Sequence, residues 1–393
     1  MRLQPSSPLK RPVVDAAQIN TTIHDALAAA GLTTRSGPLG SVTGVIERAL
    51  ATAGLMQRSS ERSEAGETID GEAREVSSPQ DRDPAPAGLP PTGRADASGE
   101  FIAKSFANSA GTRAYKLYVP ASYSHAASEP IPLVVMLHGC TQSPDDFATG
   151  TRMNALADEH GFLVAYPAQA ANANGSRCWN WFRAEDQVRD VGEPSIIAGI
   201  AREIATGYRV DERRIFVAGM SAGAAMAVIL GETYPELFAA VGAHSGLPYG
   251  AAHDVPSAFG AMKGGNSVTS RSLPGSTQSG SANWVPTIVF HGDRDSTVAA
   301  RNGAAIVAGI VERADGSLER VESGESVAGG RAYSRIVYAG AGQPPLVEQW
   351  VLHGAGHAWS GGDPRGSFTD GSGPDASAEM IRFFLQQRRA GTA

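Results

Sequence analysis

At 393 residues the chain has room for one large domain with an appendage, or for two domains. A composition of 42% hydrophobic and 19% charged residues is that of a soluble globular protein with a sizeable core. The net charge of −7 argues against nucleic acid or an anionic membrane as partner, and no apolar run approaches the roughly 20 residues that a membrane-spanning helix needs.

Taken in order, residues 1–99 read as separate from any enzyme core. The first ten residues lack the apolar centre of a secretory signal. Helical spacing recurs over residues 14–30, where Ala17, Ile23, Ala26 and Leu27 share one side. It recurs again over 41–55, where Val42, Val45, Ile46, Ala49 and Leu50 follow Ser41 as N-cap. Residues 57–99 turn polar and rich in Glu, Arg, Ser, Pro and Gly, a composition that buries too little apolar surface to fold. The expected organisation is a helical leader over 1–56, a disordered linker over 57–99 and one α/β domain over 100–388. The leader is expected either to dock on that domain, a granule surface or another subunit, or to be only weakly structured.

Within the domain, alternation over 114–119 predicts a strand that stops at Pro120. The continuous apolar run over 131–137 predicts a buried central strand opening into His138-Gly139-Cys140. A helix over 152–160 leads to a strand over 162–166, and then to a loop holding Cys178-Trp179-Asn180-Trp181-Phe182. A helix over 194–208 carries Pro194 in its first turn and Ile196, Ile197, Ile200 and Ile204 on its buried side. Residues 215–218 form a short apolar strand that runs into Gly219-Met220-Ser221-Ala222-Gly223 and an Ala/Met-rich helix. Strands are expected over 239–243 and 285–290, with a Gly/Ser-rich surface insertion over 264–283 between them and a helix over 298–313 after them. Strand-like runs over 331–338 and 346–352 precede His353-Gly-Ala-Gly-His357, and a helix over 377–388 ends the domain. Strands alternating with helices predict a mostly parallel sheet covered on both faces.

The pentapeptide around Ser221 is a candidate nucleophile elbow. A tight strand-to-helix turn holds the serine hydroxyl above the sheet and aims the helix N-terminus at the site. The plainer alternative is a serine N-cap, so partners are required. The carboxylate candidates are Asp293 and Asp295, just beyond the strand ending at Phe290. Asp295, farther into the loop, is the choice, with Asp293 bracing the turn. The base candidate is His357, flanked by glycines that let its loop fold back, while His353 at the strand end reads as a packed or hydrogen-bonded residue. Zinc is disfavoured, because a Gly-Ala-Gly spacer does not hold two imidazoles on one helical face. The order Ser221, Asp295, His357 is that of an α/β-hydrolase. The oxyanion donors expected are the N–H groups of Ala222 and Cys140.

Cys140 and Cys178 are compatible with one disulfide or with two buried thiols. A bridge would tie the oxyanion loop to the tryptophan loop, whereas a catalytic thiol lacks an accompanying base motif. Trp179 and Trp181 are compatible with the core, but their place in this loop favours a wall of the acyl pocket, hence substrate binding.

With these residues assembled, residues 100–388 resemble the poly(3-hydroxybutyrate) depolymerase family of esterases. The motifs that carry the resemblance are Leu137-His-Gly-Cys-Thr-Gln142, Cys178-Trp-Asn-Trp-Phe182, Gly192-Glu-Pro-Ser-Ile-Ile197, Gly219-Met-Ser-Ala-Gly-Ala-Ala-Met226, His291-Gly-Asp-Arg-Asp295 and Gly356-His-Ala-Trp-Ser-Gly-Gly362. The resemblance implies a serine esterase that cleaves short-chain polyhydroxyalkanoates through an acyl-enzyme, with Ser221, Asp295 and His357 as triad, Cys140 as oxyanion donor and no metal or organic cofactor. It also implies an extracellular enzyme, although the absence of a recognisable signal peptide leaves a cytoplasmic location as the alternative. No substrate-binding domain follows residue 388, so amorphous polymer or oligomer is the expected substrate. The competing readings are a feruloyl or acetylxylan esterase, and a granule-surface binding protein whose triad is a relic.

Overall fold

The computed structural model describes residues 99–126, 129–264, 285–314, 318–327 and 330–390. The expected leader and linker, and the insertion beyond residue 264, lie outside the described residues. The chain divides into two units, Met1–Asp96 and Ala97–Ala393, and the fold below is that of the second.

The apolar runs pair into a ten-stranded sheet with the order β1-β2-β4-β3-β5-β6-β7-β10-β9-β8. Its strands are β1 (Glu100–Asn108), β2 (Gly111–Val119), β3 (Ile131–Leu137), β4 (Leu163–Pro167), β5 (Val210–Met220), β6 (Ala240–His244), β7 (Thr287–Gly292), β8 (Glu319–Ser326), β9 (Ala332–Ala339) and β10 (Pro345–Leu352). From β4 across β3, β5, β6 and β7 to β10 every pairing is parallel. The hairpin β1–β2, the β2–β4 pair and the β8–β9–β10 ribbon are antiparallel. A short pair, β11 (Trp359–Ser360) and β12 (Thr369–Asp370), lies beyond β10.

β3, β4 and the second half of β5, from Ile215 to Met220, carry no charged residue because both their faces are covered. Alternate residues point to opposite sides. Leu133, Val135, Leu137, Val217 and Val289 meet helices α3 (Gly192–Gly207), α4 (Ala222–Thr233) and α6 (Arg301–Arg313). Val134, Met136, Phe216, Ala218 and Phe290 meet α1 (Pro144–Thr151), α2 (Met153–His160) and α7 (Ala376–Leu385). The remaining helix, α5 (Val255–Met262), follows β6. Among the described residues no helix is long and apolar enough to cross a membrane.

Several boundaries differ from the sequence reading. The helix expected over 152–160 is preceded by a second one, and Arg152, at φ 53°, breaks the two apart. The helix expected from residue 298 starts at Arg301, because Val298 and Ala299 are held by His291 and Met262 instead. The closing helix stops at Leu385 rather than 388.

The bridge between Cys140 and Cys178 is formed, joining the loop after β3 to the loop after β4. Thr141 N–H donates to the Ser176 carbonyl beside it, at 2.8 Å. The second loop is held from below by Glu193 at the start of α3. Glu193 accepts hydrogen bonds from Arg113 at 3.1 Å, from the Asn180 side chain at 2.8 Å, from the Asn180 backbone at 2.7 Å, and from Gln169. A buried carboxylate is tolerable only when its oxygens are satisfied in this way.

The bridge spans 38 positions of sequence. By the chain-entropy argument such a loop contributes at most about 4 kcal/mol. Cys178→Ser is therefore expected to lower the melting temperature in oxidising buffer, and reductant to lower that of the unaltered protein. Equal melting temperatures with and without reductant would remove the stabilising role.

Candidate active site

Strand β5 delivers Ser221 to the top of the sheet, and α4 begins at the next residue. Ser221 has φ 56° and ψ −120°, a conformation that L-residues adopt only under constraint. Its side chain makes no capping hydrogen bond to α4, so the serine is not the plain N-cap that the sequence left open. The strain is held from both sides. Ser221 N–H donates to the His244 carbonyl at 2.9 Å, and Ser221 is left with little exposure. A Cβ on Gly219 would stand 2.7 Å from the Leu137 carbonyl oxygen, and one on Gly223 would be 2.6 Å from the His138 carbonyl oxygen and closer still to that of Leu137. Those backbone atoms cannot swing aside as a side chain would, so both positions admit only glycine.

Asp295 and His357 come from different loops, beyond β7 and β10, and meet directly. Asp295 Oδ2 lies 2.7 Å from His357 Nδ1. Asp295 Oδ1 accepts the N–H groups of Thr297 and Val298 at 2.9 and 2.8 Å. His291 Nε2, itself 2.8 Å from the Val298 carbonyl, lies 3.5 Å from Asp295 Oδ2. Burial pushes the Asp295 pKa up, but the hydrogen bonds from His291 and His357, the charge of His357 and the Val298 N–H outweigh it. The net effect holds the carboxyl well below the ordinary carboxylate range. An anionic acceptor at Nδ1 fixes the proton of a neutral imidazole there and leaves Nε2 as the basic nitrogen.

The neighbouring pair behaves differently. Asp293 binds His353 Nδ1 at 3.1 Å and Gly354 N–H at 2.7 Å, and His353 Nε2 lies 2.9 Å from Ser334 Oγ. The two histidines of the His-x-x-x-His spacing are thus assigned to separate aspartates. Among the described residues no group of three or more His, Cys, Asp or Glu side chains is arranged to hold a metal ion.

The His138–Cys140 loop runs past the elbow, with the Gly139 backbone close to Met220 and Ser221. His138 is buried, accepts the Gln169 N–H on Nε2 at 3.1 Å, and therefore donates from Nδ1 to the Gly139 carbonyl at 2.7 Å. Burial lowers its pKa, which keeps the ring neutral. Gly139 N–H is taken by Gln142 at 2.9 Å, and Thr141 N–H by Ser176. Among the described residues no acceptor is paired with the Cys140 N–H that lies between them. Ala222 is the first residue of α4, where backbone N–H groups have no partner within the helix.

The tryptophans require a correction. Trp179 is 0% exposed and donates its indole N–H to the His138 carbonyl at 3.1 Å. It is a core residue that packs beneath the loop, where the sequence reading expected a pocket wall. Trp181 is buried in the same core cluster, edge-on to Phe182.

The sequence reading quoted Gln142 and His291 within motifs but gave them no role, and it passed over His244, with Gln142 paired here to Asp146. Gln142 and Asp146 link the His138–Cys140 loop to the loop after β11: Gln142 donates to Asp146 at 2.9 Å and to the Ser367 carbonyl at 3.1 Å, and Ser367 N–H donates to Asp146 at 2.9 Å. Burial raises the Asp146 pKa less than the hydrogen bonds from Ser367 and Gln142 lower it. His244 carried one visible signal, a lone histidine ending the apolar run Ala240-Val-Gly-Ala243.

Comparison with known proteins adds the following. A family profile described as esterase PHB depolymerase matches residues 113–330, which include Cys140, Cys178, Ser221 and Asp295 and stop short of His357. Poly(3-hydroxyalkanoate) depolymerase C of Paucimonas lemoignei is 34% identical over 231 residues, covering 58% of this chain and 54% of that protein. The poly(3-hydroxybutyrate) depolymerase of Ralstonia pickettii is 28% identical over 261 residues, covering 62% of this chain and 51% of that protein. The chain thus spans about half the length of these relatives. Among solved structures, an acetyl xylan esterase from Aspergillus awamori superposes with a TM-score of 0.50 at 21% identity, covering 70% of this chain and 94% of that one. The shared architecture is the α/β-hydrolase fold, as expected from the sequence.

The glycine geometry is directly testable. Gly223→Ala is expected to cost about 3 kcal/mol or to prevent folding, because the new methyl meets backbone on two sides. Gly260→Ala, at a helical site with nothing within 4 Å of the new atom, is expected to be neutral or to stabilise by about 0.5–1 kcal/mol. Thermal melts of the two variants that coincide would show that the elbow tolerates a side chain and that the steric account is wrong.

Proposed function

We propose that this chain, which belongs to the esterase PHB depolymerase family, is a serine esterase that hydrolyses the ester bonds of short-chain polyhydroxyalkanoates or their oligomers. The observation that carries the reading is the 2.7 Å hydrogen bond between the half-buried His357 and the buried Asp295, formed beyond the same ends of the parallel strands as a serine held in a strained elbow. That a polyester is the substrate is supported by the two relatives, both named as depolymerases of such polymers.

In this mechanism Ser221 Oγ attacks the ester carbonyl and His357 Nε2 takes its proton. The imidazolium is balanced by Asp295, whose low pKa keeps it anionic throughout. The oxyanion is stabilised by the N–H groups of Cys140 and Ala222, the latter reinforced by the N-terminus of α4. The alcohol departs with the proton from His357, and water repeats the sequence on the acyl-Ser221 ester. Every step is carried by side chains and backbone of this chain, so the proposal invokes no metal or organic cofactor. Action in an oxidising, extracellular setting is supported by the bridge between Cys140 and Cys178, since disulfides persist there.

The test is clearing of an amorphous poly(3-hydroxybutyrate) suspension, with hydrolysis of methyl ferulate followed in parallel. Clearing is expected for the unaltered protein and not for Ser221→Ala. Asp295→Asn is expected to lower kcat by about 10³–10⁴-fold, because an amide no longer fixes the His357 tautomer. Turnover of ferulate without clearing would move the protein to the plant-wall esterases. Clearing that survives Ser221→Ala would sink the assignment of the nucleophile.

A further inference from the structure

The strands carrying Ser221 and Asp295 are not neighbours in the sheet, since β6 lies between β5 and β7. At the end of β6, His244 pairs in register with Met220 on one side and with Phe290 on the other. Its carbonyl oxygen accepts the Ser221 N–H at 2.9 Å. Its ring extends to a third segment, where Nε2 accepts the N–H of Ser360 at 3.1 Å, three residues beyond His357. The ring is stacked on Phe290 and on Trp359, at centroid distances of 5.8 and 5.1 Å. The segments bearing Ser221, Asp295 and His357 therefore all touch this one residue, which is wholly buried.

We propose that His244 is a positioning residue: its backbone carbonyl and its Nε2 together fix the His357 loop relative to the serine elbow. The inference rests on the esterase reading above and adds a role that the triad does not include. For Nε2 to accept from a backbone amide the ring must be neutral with its proton on Nδ1, and Ser245 Oγ lies 3.3 Å from Nδ1 to receive it. Burial, together with the nearby His291 and His357, lowers the His244 pKa to about 3 against a smaller upward pull from Asp295. The acceptor is consequently available at every pH at which an esterase would work. Loss of the Ser360 bond leaves an amide N–H buried beside aromatic rings and frees the loop that carries the base. Displacements of about 1 Å at reacting atoms are enough to cost on the order of 100-fold in rate.

His244→Phe keeps an aromatic ring between Phe290 and Trp359 but removes the acceptor. His244→Gln places a carbonyl oxygen near the position of Nε2, and His244→Asn places one too short to reach Ser360. With p-nitrophenyl butyrate as substrate, the Phe and Asn variants are expected to lose about 100-fold in kcat at unchanged KM, and the Gln variant to recover most of it. Labelling of Ser221 by a fluorophosphonate should slow in the same order. If the Phe variant does not fold, the contrast between Gln and Asn carries the test alone. Equal kcat for folded Gln and Asn variants, or a loss confined to KM, would overturn the proposal. An unaltered protein without activity on the ester would instead remove the esterase reading on which the proposal rests.

Discussion

The arrangement depends on one close approach between backbones. At the ends of adjacent parallel strands, the carbonyl oxygens of Leu137 and His138 press against Gly223, and Gly223 presses against Gly219. No side chain fits at either glycine, and that contact lets α4 start immediately after Ser221 instead of one turn later. The positive φ of Ser221 follows from it, as does the passage of the Gly139–Cys140 backbone directly beside the serine. A strained residue persists only where its surroundings leave it no alternative. Here the surroundings are the buried C-terminal halves of two adjacent strands, so the strain is stored in the part of the molecule that yields least.

Around that contact the loops are fixed by buried polar groups, each with its partners assigned. His138 spans the loop after β3 and the loop after β4, and Trp179 and the disulfide join the same two segments. Gln142 and Asp146 join the loop after β3 to the segment beyond β11. Glu193 holds the loop after β4 from the start of α3. Each of these hydrogen bonds contributes only about 1 kcal/mol, but an unmatched buried partner costs more than that, so alternative loop positions are penalised strongly. Specific placement of the loops, more than net stability, is what such a network supplies.

How much of this was legible in the sequence follows from the range over which each signal acts. The elbow, β3 and the loops bearing Asp295 and His357 announce themselves locally, since glycines next to an apolar run mark a strand end wherever they occur. The leader, linker and insertion lie outside the described residues, so those readings stand as expectations. Strand β8 was invisible because all its side chains are exposed, leaving neither alternation nor an apolar run to read. Helix α5 was hidden in a segment of small residues whose start is set by an Asp254–Ser257 capping box. Trp179, read as a pocket wall, lies buried instead, because its indole N–H is paired with the His138 carbonyl from another loop, a contact that no local pattern announces. His244 was out of reach for a different reason. Its ring partner lies 116 positions along the chain, and nothing in the local pattern of an apolar strand announces a bond of that range.

The choice between the two aspartates shows how environment separates residues that composition does not. Asp293 and Asp295 sit two positions apart in one loop, and each faces a histidine from the loop after β10, His353 and His357. Both pairs join the same two loops through the same chemistry. The outer pair is exposed, with side-chain accessibilities of 43% for His353 and 39% for Asp293, where solvent and ions screen the interaction. The inner pair is closed, with 12% for His357 and 0% for Asp295, and its carboxylate is held by two backbone N–H groups as well. A charge developing on the outer imidazole would be balanced largely by water. On the inner one it would be balanced by an oriented carboxylate that lies directly against Nδ1 and also faces His291. The outer pair braces the approach of the two loops in solvent, and the inner pair is the one whose closed geometry fits the base and carboxylate of the proposed mechanism.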